Sequence, residues 1–392
     1  WYGGVPVIDN YNSADEAKVP RKSEEEVKNY VNTELDTAIG ELNASPSERG
    51  RIAKGAAMAI RMRSALYYSD YVKAKEMAMN LKQYDLEPDY SNLFKVAGQD
   101  SKEIILAVQY VNSTLELSTI GQMYNNGDGG WSSIVPTQNL VDTYEMADGL
   151  TKEGSGSYDP NHPFAGRDPR MAMTIIYPGM DWNGTVVNTL DKTINGKDNA
   201  NYPPSANNAS KTALTWRKYL DEQYANGIWN TNACPIVIRY AEVLLTYAEA
   251  VNELSGPSAD VYDKLDLIRG RVGMPKVDRE KYASKETLRR LIRRERGVEL
   301  AGEGVRRADI LRWKDDNGKM VAETVLNGVL ERVVGTVNYA ETDPTKRAEI
   351  DTNAPATDKK IEDRVFKVHN RYNPIPQGAI DNNPNLEQNP GY

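Results

Sequence analysis

The sequence predicts a mostly α fold, with helix pairs stacked at both ends of the chain around a long aperiodic middle that carries a few short strands. Three observations lead there. Apolar residues recur at helical spacing over residues 24–83 and again over 236–314. Alanines interleave with tyrosines in the first of these stretches, which suits helices that pack closely. Between about residues 95 and 235 the periodicity fades, and Gly, Asn, Pro and Tyr accumulate.

Taken in order, residues 24–43 place Val27, Val31, Leu35, Ala38 and Leu42 on one helical face, with Ser23 as N-cap. Residues 52–68 and 71–83 form a helical hairpin in which Ala56, Ala59, Ala65, Ala74 and Ala78 alternate with Tyr67, Tyr68 and Tyr71. This interleaving is that of tetratricopeptide-like helix pairs. In the middle, 102–110 (KEIILAVQY) reads as a strand and 136–144 as a short helix. A second hairpin follows over 236–254 and 260–271, and then one longer helix over 285–314. The stretch 335–372 reads as an exposed loop or a tail-like excursion. The parts are therefore 1–94, a helical scaffold; 95–235, irregular and ligand-binding; and 236–392, scaffold and C-terminal segment.

The helix at 285–314 puts charge where its apolar stripe should continue. Leu288, Leu291 and Ile292 start the stripe, and Glu295 and Glu299 extend it. Buried carboxylates need partners, and Arg296, Arg306, Asp309 and Arg312 stand at three- or four-residue steps to provide them. Gly297, Ala301, Gly302 and Gly304 remove bulk from the same surface, as a closely packed helix requires. Arg239, Glu242 and Glu249 flank the apolar face of 239–254 in the same way, so acid and base are expected on two facing helices.

Composition excludes several classes. With 48 Lys and Arg against 56 Asp and Glu, the net charge of −8 offers no basic stripe to a nucleic acid or an anionic membrane. One cysteine, Cys234, forms no intramolecular disulfide and no Cys-based zinc site; two histidines, His162 and His369, give little basis for a metal centre or a triad. No cofactor or metal is expected. The segment 125–130 (NNGDGG) resembles a calcium loop only faintly, lacking alternating ligands and a distal Glu, and reads as a turn. GRDPR gathers Arg167, Asp168 and Arg170 around a proline.

Several long blocks carry a family resemblance: RYAEVLLTYAEA from 239, ERGVELAGEGVRRADILRW from 295, and the C-terminal NPIPQGAIDNNPNLEQNPGY, preceded by WYGGVPVI at 1–8, residues 50–74, 135–150 and 167–179. Together these resemble the SusD/RagB family of nutrient-binding outer-membrane lipoproteins of Bacteroidetes. The resemblance implies a SusD-like single domain on a tetratricopeptide-like scaffold, and a binding protein rather than an enzyme. It also implies a partner, a SusC-like TonB-dependent β-barrel transporter to which captured oligosaccharide or polysaccharide is passed. Family members begin with a signal peptide, a lipidated cysteine and a helical N-terminal portion. None of these is in WYGGVPVI, so the chain reads as lacking that portion, its membrane attachment being a lipid anchor outside this sequence. An oligopeptide ligand of RagB type is the alternative within the family; a hydrolase or a structural adaptor is the alternative outside it.

Aromatic usage places the ligand. There are 23 Tyr and 6 Trp against 3 Phe, and four of the tryptophans (Trp131, Trp182, Trp216 and Trp229) fall in the aperiodic middle. Rings with a polar handle suit sugar faces, which stack on indole or phenol while their hydroxyls bond polar side chains. The expected ligand contacts are Trp131, Tyr158, Trp182 and Asn183, with Trp182 foremost because Asp181 and Asn183 flank it between Gly179 and Gly184. The competing role for Trp182 is to anchor its loop on the helices.

Overall fold

A computed structural model describes every residue from 1 to 392 except 12, 47, 49, 205, 206, 225 and 226. Helix α1, Glu24–Glu41, starts where expected: the Ser23 hydroxyl accepts from the Glu26 amide while the Glu26 carboxylate accepts from the Ser23 amide, a complete capping box. Helices α2 (Lys54–Tyr67) and α3 (Tyr71–Met79) form the expected hairpin, with Asp70 capping α3. Ala56, Ala59, Ala65, Ala74 and Ala78 are all buried, which lets the helix backbones approach. The two short helices of the middle are α4, Gln138–Thr143, and α5, Pro169–Thr174. Then come α6 (Tyr240–Ser255), α7 (Ala259–Arg271), α8 (Lys285–Glu299) and α9 (Arg306–Arg312). The helices stack as a chain of neighbours, α1 on α2, α2 on α3, α3 on α6, and α6 on both α7 and α8. No described helix is long and apolar enough to cross a membrane.

Two boundaries differ from expectation. Residues 236–239 are not the first turn of a helix: Ile236–Arg239 is a strand paired antiparallel with Ile104–Ala107, which joins the two helical ends of the chain. The expected helix over 285–314 breaks between α8 and α9. Gly302 and Gly304 take positive φ of 77° and 80°, a conformation that ends a helix and that a side chain resists. Close packing adds to this at Gly302, where a Cβ would stand 3.2 Å from the Trp216 ring, whereas a Cβ on Gly304 would meet nothing within 4 Å.

The middle has its own core despite its lack of period. Tyr124, Val141, Tyr144, Phe164, Ile175, Ile176, Tyr177, Trp182, Leu190 and Leu214 bury one another, joined by Val298 of α8. Apart from Ile104–Ala107, its strands are two-residue pairs, too short to leave an alternating pattern. The excursion after residue 335 is not a tail. Gly335–Val337 pairs with Ala348–Ile350, and Val337 and Ala348 enter the same core.

Charge does enter the core, although through other partners than those expected along the helix. Glu295 and Glu299 are buried on α8. Glu295 meets Arg170 of α5 at 3.0 Å and Arg269 of α7. Glu299 meets Arg239 at 2.7 Å, Arg170 at 3.1 Å, and Arg271. Arg239 also bridges Glu103 and Glu303, both at 2.7 Å. Arg296 and Arg312 turn to the other side, where they hold Asp309 and Glu249, and the Trp313 indole donates to Glu249 at 2.8 Å. The last carbonyls of α8 are met by cations. Glu299 O accepts from Arg239 Nη2 (2.7 Å), Lys218 Nζ (3.1 Å) and Tyr90 Oη (3.1 Å), and Ala301 O accepts from Lys218 (3.0 Å). Orphan carbonyls at a helix C-terminus and the negative end of its dipole both favour this arrangement.

Burial pushes the Glu299 carboxyl up, but Arg271, Arg239 and Arg170 outweigh it and hold the group well below the usual carboxylate range. Burial opposed by arginines likewise leaves Glu249 and Asp309 lowered. For Lys218 burial wins over Glu303 and draws the ammonium down to about 8.

Removing Glu299 takes one carboxylate from three buried guanidinium groups and leaves an excess of positive charge, so Glu299→Ala is expected to cost about 3–5 kcal/mol in denaturant unfolding. Asp316→Ala, which breaks the exposed pair with Arg290, should cost under about 1 kcal/mol. A Glu299→Ala melt that matches the parent would show that α8 is not held by charge. Acid should act on the same network. Native Glu299 takes up a proton only well below the 4.5 at which a free glutamate does, so unfolding in acid binds a proton there. Stability measured by urea unfolding should therefore hold at neutral pH and fall as the pH drops below about 4.5.

Candidate functional site

No group of three His, Cys, Asp or Glu among the described residues converges as a metal cage. His162 is engaged by Asp159 at 2.7 Å, His369 packs edge-on against Tyr392, and Cys234 is buried. Aromatic rings with polar neighbours are the features left to examine.

Trp131 is 51% exposed and lies against Trp229, with ring centroids 4.7 Å apart and planes tilted by 55°. Both rings are held by one turn, residues 125–130. Asn125 caps it by accepting the Asp128 amide at 2.8 Å, and Gly129 reverses the chain at φ 82°. The segment then folds back, Trp131 N donating to Gly121 O and Ser133 N to Gln122 O. Gly121 makes room for Trp229, since a Cβ there would sit 2.5 Å from the indole. The Trp229 Nε1 donates to Gly129 O at 3.3 Å.

The neighbouring residue of that turn holds a third indole. Asp128 accepts Trp182 Nε1 at 2.9 Å and Asn125 Nδ2 at 2.6 Å. Trp182 was expected to stand in solvent, and it does not: it is 3% exposed and packs in the core of the middle. The reason is a two-residue hairpin. Asn183 and Gly184 both take positive φ, 47° and 75°, between the paired strands Asp181–Trp182 and Thr185–Val186. Such a turn sets the register, and the register sends the indole inward. Asn183 reaches Asp128 at 3.3 Å. Asn195 and Gly196 repeat the device between Thr193–Ile194 and Lys197–Asp198.

The structure therefore brings Trp131, Trp182 and Asn183 around one turn, with Trp131 alone of the three offering an open ring. Tyr158 is elsewhere, half-buried beneath Lys152 and Arg167. Arg167 donates to the carbonyls of Val141 and Tyr144, and Arg170 belongs to the α8 network, which makes GRDPR structural. The sequence reading missed Asp128 and Trp229 as partners, and also Tyr339, whose hydroxyl accepts from Asn188 Nδ2 at 3.0 Å across a cleft of about 350 Å³. That cleft is lined by Asn125, Gly127 and Asp128 of the turn and not by Trp131. A cavity of about 380 Å³ between α2 and α9 is of similar size, but its charged lining, Arg63 with Glu242 and Arg312 with Asp309, is already paired.

A family model described as the SusD family matches residues 102–392. Among curated proteins, SusD-like protein P25 of Formosa agariphila is 27% identical over 312 residues, which is 75% of this chain and 56% of that protein. SusD-like protein P2 of the same organism is 27% identical over 337 residues, 81% of this chain and 62% of that protein. The chain thus spans roughly three fifths of these relatives. Among solved structures, a SusD-like carbohydrate binding protein from Bacteroides fragilis superposes with a TM-score of 0.82 at 28% identity, over 99% of this chain and 76% of that one. A SusD-like protein from the same species gives 0.77 at 27% identity, over 100% and 76%.

Because Trp182 is core, Trp182→Ala is expected to lower stability by about 3–5 kcal/mol. Trp131→Ala, at an open ring, should leave the thermal melt near that of the parent. Equal melting temperatures in the two variants would contradict the burial described.

Proposed function

This chain belongs to the SusD family, and on that premise we propose that it is an outer-membrane glycan-binding protein which captures oligosaccharide or polysaccharide without cleaving it. The observation that carries this reading is the open Trp131 ring backed by Trp229 on a turn braced at both ends by hydrogen bonds. A rigid, half-exposed indole loses little freedom on binding and offers a flat apolar face to the C–H side of a pyranose. The solved neighbour described as carbohydrate binding supports the same class of ligand. In this proposal a lipid anchor outside the chain holds the protein at the cell surface, and the glycan is handed to a SusC-like TonB-dependent barrel.

The arrangement favours binding over hydrolysis. Glu295 and Glu299, the carboxylates most deeply buried on α8, are each spoken for by arginines. Asp128 Oδ2 is held by the Trp182 indole and Asn125, and its Oδ1 meets Asn183 rather than a second carboxylate.

Affinity gels loaded with polysaccharides or with peptides test the ligand class, followed by calorimetry on the retained one. Trp131→Ala should weaken glycan binding by about 1–3 kcal/mol, the range known for bases stacked on aromatic side chains. No reducing sugar should appear on prolonged incubation. Retention of peptides alone would shift the reading to an oligopeptide receptor, and steady sugar release abolished by one Asp or Glu substitution would make the protein a hydrolase. Unchanged affinity in Trp131→Ala and in Trp229→Ala would remove the ligand from this turn.

A further inference from the structure

We propose that the cleft behind the 125–130 turn is a second subsite, one that takes an uncharged sugar unit of a glycan whose neighbouring part lies on Trp131. The inference rests on the glycan-binding reading and adds a place and a charge class to it. Three segments far apart in sequence wall the cleft: the turn with Asn125 and Asp128, the paired strands around Trp182 and Thr185, and the hairpin that carries Tyr339.

The chemistry of the walls is that of hydroxyl recognition. Tyr339 is 54% exposed; its oxygen accepts from Asn188, which leaves its proton to be donated, and its ring is open for stacking. Asn201 accepts the Gly127 amide on Oδ1 at 2.7 Å, which orients the side chain and leaves Nδ2 to donate. Asp128 Oδ1 receives only the 3.3 Å bond from Asn183 and can accept from a hydroxyl. Val186 and Ile194 supply apolar surface between these groups. Donors, an acceptor and an apolar floor in a small concave space match a pyranose, which presents hydroxyls at its rim and C–H bonds on its faces.

Charge sets the class. The lining contains one carboxylate, Asp128, and neither lysine nor arginine. Arg347 and Arg217, which touch the strands around Trp182, are occupied outside the cleft, Arg347 by Asp181 and Arg217 by the Trp182 ring and Ala172 O, and exposed Lys197, paired with Ile194 in its hairpin, is not part of the lining. A uronate or a sulfated sugar entering here would meet Asp128 without a counter-charge and would lose its hydration uncompensated. A neutral hexose or pentose would lose only hydroxyl hydration, which the same groups restore.

Continuity with the platform follows from the turn itself. Gly129 holds Trp229 and Asp128 holds Trp182, so consecutive residues brace the two sides.

The probes are neutral hexasaccharides of gluco, manno, xylo and galacto configuration, an oligogalacturonate, and a sulfated galactan oligomer, titrated by calorimetry. Tyr339→Ala and Asn201→Ala should each weaken the best neutral hexamer about tenfold, with melting temperatures unchanged, and Tyr339→Phe should fall between Tyr339→Ala and the parent. The acidic oligomers should bind at least tenfold more weakly than that neutral one. If Trp131→Ala weakens binding while Tyr339→Ala and Asn201→Ala do not, the cleft is not a subsite and the platform reading stands. Acidic oligomers that bind as tightly as neutral ones overturn the charge class. Retention of none of the probes overturns this inference together with the glycan reading.

Discussion

Everything else in this fold is arranged around the burial of Glu299. A carboxylate at 0% exposure survives as an anion only if cations reach it from several directions, and here they come from separate parts of the chain: Arg170 from α5, Arg239 from the strand that joins the two helical ends, and Arg271 from the end of α7. Each arginine has a second acid to satisfy, Glu295, Glu103 or Glu303, so that no single pair can form without the others in place. Apolar contact would hold these elements together in many relative positions. A network of directed bonds with no spare partners permits one.

The same network couples the scaffold to the region that carries the candidate site. Lys218 extends from the middle of the chain to cap the end of α8, its ammonium 4.3 Å from the centre of the Phe94 ring. Val298, one residue before Glu299, sits in the core that also contains Trp182, and Gly302 just after the helix lies under Trp216. The irregular middle is thus seated on the C-terminal end of α8 by charge and by contact together. Its turns are rigid because their bases are anchored, even though they contain little regular structure.

The helical ends were legible because periodicity is a local signal: α1, α2, α3 and α7 begin and end close to where spacing and capping residues place them. Buried charge was legible too, since Glu295 and Glu299 interrupt an apolar stripe. Of their partners, Arg239 was legible from the charged facing segment, but Arg170 and Arg271 were not, because they lie 129 and 28 positions from Glu299 and helix spacing speaks only of residues three or four apart. The helix break at Gly302 and Gly304 could have been read from glycines after a run of helical positions. In the candidate site, the aromatic enrichment pointed to the turn beside Trp131 but could not say which rings face outward. Asn183-Gly184 and Asn195-Gly196 are strong hairpin signals that would have placed Trp182 on a strand, with its ring committed to one side. Tyr339 was hidden in a stretch rich in charge and proline that read as an excursion, and only its pairing across 335–350 shows that it returns to the site.

The two-residue hairpins also bear on how such a protein can change over evolutionary time. Their tips protrude from the core and take no part in the ion network, while Asn183, Gly184, Asn195 and Gly196 meet the demands of the turn without help from the helices. Substitution at Trp131, Tyr339 or Asn201 touches neither Glu299 nor its arginines. Under the proposed function, exchanging these displayed side chains would alter what is captured while leaving intact the ion network that fixes the fold.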